Sequence, residues 1–265
     1  MIIKYGGTLL FCFSLLSYVR AQEQALFAKL NQLDWKVVLA DSNQFSWNRH
    51  WTLDGERAVL KNTKRGRLFC AGPVPNDNGS HAVLWTKDTF CGPIKIEFEY
   101  TRMDAISRFV TIIYIQATGT GLPPYTTDIS QWDSLRTIPT MSTYFRHMNT
   151  YHISFAVFGT ENEDPTNDYV RARRYPVAPG GDFVNDTALS PDYQRTGLFK
   201  PGVTYTVTVV KKDEHLVMQV KNETIEKVFS WNTNTFPPIR EGRVGFRHMY
   251  TRCARYSNIV ISNVE

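Results

Sequence analysis

Metal-binding arrangements are missing from this sequence. It has four Cys and six His in 265 residues, with no Cys-x-x-Cys and no closely spaced histidine pair, so nothing reads as a zinc site. Basic blocks are missing too. The net charge of +5 is mild, and Lys and Arg are spread among acids, which argues against a nucleic-acid partner. No long 3.6-periodic run is present, which excludes a helical bundle or a doubly wound α/β fold. Internal repeats and low-complexity linkers are absent. One apolar run stands out, Leu9 to Val19, and it is too short to span a bilayer comfortably.

That run has Lys4 before it and Val19-Arg20-Ala21 after it. Basic, apolar, then small is the order of a secretory signal peptide. We expect residues 1–21 to be removed, a chain starting near Gln22 with no membrane segment, and a secreted or periplasmic location. Cys12 lies inside the apolar run with no small residue before it, so a lipoprotein is not indicated. Residues 22–265 suit one domain, long enough to bury a core without staples. Of the remaining cysteines, Cys70 and Cys91 flank a turn-rich stretch and can pair; otherwise Cys70, Cys91 and Cys253 are free thiols.

What is present is strand signal. A short helix is expected within Glu23–Leu33. After it, Lys95–Tyr100 alternates charged with apolar residues, and Phe109–Gln116 is nearly continuous and β-branched. Tyr151–Phe158, Val203–Val210, His215–Val220, Val228–Trp231, Gly242–Met249 and Tyr256–Ser262 continue the series. Two long segments rich in turn residues, Thr118–Met141 and Gly159–Leu198, read as functional loops. Many short strands with such joints mean an all-β sandwich or barrel.

The C-terminal stretch narrows the fold. Gly242-Arg243-Val244-Gly245-Phe246-Arg247 followed by Tyr256-Ser257-Asn258-Ile259 resembles the last two strands of a concanavalin A-like jelly roll. With Ile112–Gly119 and Asn149–Ala156, the chain from about Asp34 onward is similar to the YesU-like family of uncharacterised sandwich proteins. That resemblance implies a jelly-roll β-sandwich with long loops over a concave face. It also implies a sugar partner, in particular uronic-acid sugar from pectin- or ulvan-like polymers.

Alternation assigns candidate site residues. His152 and Ser154 oppose the core residues Ile153 and Phe155, so His152 points into a cleft. Tyr114 and Gln116 share a face and offer hydrogen bonds to sugar. Arg247 opposes Phe246 and can grip a carboxylate, or pair with Glu97 or Glu99. The long loops add Arg146 and His147, Arg171 and Arg174 (on one side if that segment makes a helical turn), and Trp132, which either stacks on a sugar ring or anchors its loop.

Three function classes fit. A lyase or dehydratase acting on acidic oligosaccharide or polysaccharide needs cations to neutralise the carboxylate, here Arg171, Arg174 and Arg247. It also needs a base, here His152, His147 or Tyr114. A glycoside hydrolase needs paired carboxyl groups, and the Glu-x-Asp-x-x-Glu strand of jelly-roll glucanases is missing. A lectin-like module needs neither. No cofactor is called for; a structural Ca2+ is allowed by the Asn- and Asp-rich loops, without a marked ligand spacing. Asn78, Asn185 and Asn222 match the glycosylation pattern Asn-x-Ser/Thr.

Overall fold

A computed structural model describes residues 20–106, 108–157 and 167–264. The expected signal segment lies almost wholly outside the described residues, as do residues 158–166 in the second long loop.

Two antiparallel sheets face each other. The first runs β14 (Glu226–Asn232), β13 (His215–Lys221), β12 (Thr204–Lys212), β7 (Ile94–Arg102), β16 (Cys253–Asn263), β4 (Gly66–Cys70), β3 (Val59–Thr63), with β1 (Lys36–Asp41) also on β16. The second runs β11 (Ala188–Gln194), β10 (Tyr169–Tyr175), β9 (Met148–Val157), β8 (Thr111–Gly119), β15 (Glu241–His248), β5 (Ala82–Thr86), β2 (Trp51–Asp54), with β6 (Phe90–Cys91) on β15. The core lies between them. Ile96, Phe98 and Tyr100 of β7 meet Ile153 and Phe155 of β9 and Phe246 of β15, all buried. Each such side chain stabilises the fold by about 1.5–3 kcal/mol.

The period-two pattern of β7 appears as expected, with Lys95, Glu97 and Glu99 turned away from the core. Lys95 pairs with Glu97, and Glu99 accepts from Ser257. These carboxylates belong to the other sheet from Arg247, so the expected cross-strand pair with it does not form. The N-terminal helix, α1, spans 20–31. Ala, Gln, Glu and Leu favour it, and Phe27 and Leu30 pack onto Val210, Val217 and Val228 on the outer face of the first sheet. Among the described residues, no helix is long and apolar enough to cross a membrane.

Three expectations are corrected. Cys70 bonds Cys253, not Cys91, because the two are direct partners in the β4–β16 ladder; Cys91 is free and exposed. The second long segment is not a loop throughout, since it holds β10 and β11. Pro191 sits within β11, which is tolerated because that strand is at the sheet edge. Consequently Arg171 and Arg174 do not share a helical side. In a strand, Arg171 and Arg173 share one face and Arg174 takes the other.

Candidate functional site

The second sheet turns a row of large side chains outward. Ladder pairing aligns Trp85, Gly245, Tyr114, His152 and Arg173 across five strands, from β5 to β10. The next row aligns Val83, Arg247, Ile112, Ser154 and Arg171. The β5–β15 half of this face is covered by the segment between β8 and β9. That segment carries a 3-10 turn (Ile129–Trp132), α2 (Asp133–Arg136) and α3 (Met141–His147). Asp54 of β2 fastens it: Oδ2 accepts from Arg136 Nη1 at 3.0 Å and Tyr144 Oη at 3.0 Å, and also from Trp85 Nε1 at 2.7 Å.

The other half stays open. A cleft of about 530 Å³ lies over β9 and β10. Its floor is His152, Ser154, Arg171 and Arg173; α3 supplies one wall through Met141 and Phe145, and α4 (Phe183–Asp186) supplies another through Phe183 and Val184. Val110, Ile112 and Met249 close the β8–β15 side.

His152 is buried at this floor. Burial and the neighbouring Arg173 and Arg247 hold its imidazole well below the usual histidine range, so it is neutral. Its Nδ1 lies 2.6 Å from Tyr175 Oη. Burial pushes the Tyr175 hydroxyl well up, so we assign the tyrosine as donor and Nδ1 as acceptor, which puts the ring proton on Nε2. That nitrogen is buried without a partner among the described residues.

The sequence pattern does not mark Arg173, yet it joins Arg171 as a cation at the floor. Its Nη1 donates to the carbonyls of Phe183 (3.1 Å) and Val184 (2.7 Å) and to Thr187 Oγ1 (3.1 Å), and its guanidinium lies over the Phe183 ring. Among the described residues it has no ion pair. Asp192 is bonded instead to Arg171 Nε, at 2.7 Å. Burial and the neighbouring Arg171 lower the affinity of Arg173 for its own proton. The signal that would have found it is the Tyr-x-Arg-x-Arg-x-Tyr alternation of 169–175, a strand face made of polar and aromatic groups.

The remaining expected residues scatter. Arg247 belongs to the same face but is fully buried under α3, donating to Pro139 O (2.6 Å) and His81 Nδ1 (2.5 Å) and lying over the Tyr144 ring. Tyr114 is sealed beneath Trp85 and Tyr144, its hydroxyl pushed up to about 12 by burial. Gln116 does not share its face: the ladder slips between Ile115 and Thr118, and Gln116 turns to donate to the carbonyls of Phe90, Gly92 and Arg240. Arg174 points to the core side, over the Tyr151 ring and onto Asn149. Trp132 is fully buried and donates to Thr126 O at 2.9 Å, so it anchors its loop and offers no face to a sugar. His147 stacks on Tyr125 and Arg146 lies beside Phe145, both outside the cleft lining. Of the nine expected site residues, His152 and Arg171 meet in the cleft.

Among the described residues, no group of three or more His, Cys, Asp or Glu is placed to hold a metal ion. No carboxylate lines the cleft among them either.

No family model matches the chain, and no curated protein matches it. The narrower likeness to the YesU-like family therefore rests on the sequence motifs alone. Solved structures do match. A protein of unknown function with galectin-like fold from Bacillus subtilis aligns at TM-score 0.58 and 14% identity, covering 86% of this chain and 97% of that one. A legume lectin-like domain from Entamoeba histolytica aligns at 0.57 and 8% identity, covering 86% and 98%. A structure described with endo-acting O-glycanases of the human gut microbiota aligns at 0.52 and 10% identity, covering 87% and 100%. At such identities the likeness concerns the fold, and the chain is a galectin- and legume-lectin-like jelly-roll β-sandwich.

Proposed function

We propose that this chain is a lectin-like module that binds carbohydrate bearing a carboxylate, in the cleft over β9 and β10. The observation that carries the reading is Arg173: a buried guanidinium, facing an open cleft, with no ion pair among the described residues. Burying a charge without a bonded counter-charge is costly, and Asp192, bonded to Arg171, acts on this guanidinium only from beyond ion-pair distance. All three of its bonds leave from Nη1, so Nε and Nη2 make none among the described residues. A ligand carboxylate can take both in the side-on, two-bond geometry that a guanidinium offers. Ser154, Asn167 and Gln194 line the same space and suit sugar hydroxyls. The fold agrees, since lectin-like domains share it, and a fold alone does not decide function.

Elimination at a uronate is the second reading, favoured by the bonded His152–Tyr175 pair beside Arg173. It is the weaker one. The cations that would neutralise a substrate carboxylate also reduce the proton affinity of His152, and the nitrogen open to a proton already accepts from Tyr175. Hydrolysis has less support, because paired carboxyl groups are missing from the described lining.

Titrating galacturonate oligosaccharide and its neutral galactose counterpart, while following absorbance of an unsaturated product, separates these. Binding of the acid alone, without product, is expected. Product formation supports elimination, and equal binding of both sugars removes the role given to Arg173. We further propose that the protein acts outside the cytoplasm after loss of residues 1–21; exported protein beginning at Met1 would contradict that.

A further inference from the structure

The two sides of the cleft differ in chemistry. The β9–β10 side carries His152, Ser154, Arg171 and Arg173. The opposite side carries Val110 and Ile112 at β8, Met249 just past β15, and Met141 from α3. These four offer no side-chain hydrogen-bond group, and thioether sulfur is a poor acceptor. Much of the main chain along β8 and β15 there is already bonded: Met249 N donates to Val110 O and Met249 O accepts from Arg252 N, each at 3.1 Å, and the ladder partners of Ile112 are Arg247 and Ser154. A sugar hydroxyl turned toward this side would lose its water without gaining a partner, which is unfavourable. A methyl group would gain contact instead. The two sides are about two strand spacings apart, roughly 10 Å, so one ligand of one or two sugar units reaches both.

We infer that the cleft selects an acidic sugar that also carries an apolar substituent, a methyl group held as an ether, a deoxy position or an acetyl. The carboxylate lies on the Arg173 side and the substituent against Met249, Met141, Val110 and Ile112. This deepens the binding reading above and rests on it. Two methionines suit such a subsite, because an unbranched, polarisable side chain adapts its rotamer to a small group.

The test compares glucuronic acid with its 1-O-methyl and 4-O-methyl derivatives, titrated against the parent protein and against Met249→Gln and Met141→Gln. At least one ether is expected to bind the parent about fourfold more tightly than the free acid, the increment for burying one methyl-sized group. That gain should vanish in one or both variants while the free acid keeps its affinity to within about twofold. If the acid binds but neither ether binds more tightly, the apolar side is not a subsite, and the acid-binding reading stands without it. A gain that persists in both variants places the methyl group elsewhere and equally overturns the inference. If neither the acid nor either ether binds, the binding reading itself fails. Thermal denaturation of each variant, expected to match the parent within a few degrees, excludes misfolding as the cause of any loss.

Discussion

Gly245 and Trp85 are direct partners in the β15–β5 ladder, and the indole lies over the place where a side chain at 245 would be: a Cβ there would meet Trp85 Cε3 at 2.5 Å. The missing side chain lets Trp85 lie flat, stacked on Tyr114 at 5.3 Å and on Tyr144 at 6.4 Å between ring centres. This stack joins α3 to the sheet and so sets one wall of the cleft. Gly245→Ala should therefore destabilise the fold by about 1–3 kcal/mol, the usual range for overpacking. Denaturant titration measures it. A change within about 0.5 kcal/mol would show that Trp85 swings away freely.

Stability should fall as the medium becomes acidic. Burial holds His81 and His248 down to about 3, and His152 well below its usual value. In the unfolded chain each titrates at about 6.5, the ordinary value of a histidine. Below that pH the unfolded state takes up protons that the folded state refuses, so stability is complete above about 6.5 and is lost on going down. Each histidine contributes a slope of about 1.4 kcal/mol per pH unit. His248→Gln should remove one such slope between pH 6 and pH 4, measured as unfolding free energy against pH. An unchanged slope would mean that His248 is protonated in the fold.

The cysteines should separate by reactivity. In the native protein Cys91 alone of Cys70, Cys91 and Cys253 should be alkylated, and slowly, since local desolvation and the nearby Glu241 push the thiol of this exposed residue up. Reduction of the Cys70–Cys253 bridge should lower stability by about 2–5 kcal/mol, the range for native disulfides that close long loops. Peptide mapping after native alkylation checks the first, and melting with and without reductant the second. Labelling of Cys253 without reductant would contradict the pairing.

Much of the sandwich was legible in the sequence, because β7 packs one face and half-exposes the other, β12 begins the same way with Thr204 and Thr206 exposed against buried Tyr205 and Val207, and β8 is buried on both. β10 was not, for a physical reason. Its outward face is Tyr169, Arg171, Arg173 and Tyr175, whose polar groups mask the strand period, although Val170 and Ala172 reach the core. That hidden strand is also why the sequence pattern points to Arg174 and not to Arg173. His152 was legible because its own strand keeps a regular alternation. Gln116 was not, since a ladder slip rotates it, and such slips leave no sequence mark here. Tyr114, Arg247 and Trp132 were placed correctly as outward or loop residues but lie under the segment between β8 and β9. Which residues such a cover buries depends on long-range packing of Trp85, Arg136 and Tyr144 onto Asp54, and local pattern does not carry that.

The most direct test of the account is one titration series with Arg173→Gln. The variant keeps a long polar side chain able to donate to the carbonyls of Phe183 and Val184, and it removes the charge. Calorimetric titration with galacturonate oligosaccharide should show at least about a tenfold loss of affinity, in keeping with the roughly 1.5–3 kcal/mol of a hydrogen bond to a charged group. Arg171→Gln should lose less, because Arg171 is already paired with Asp192. Undiminished binding of the acidic oligosaccharide by a folded Arg173→Gln protein would contradict the central claim that this guanidinium receives the ligand's carboxylate.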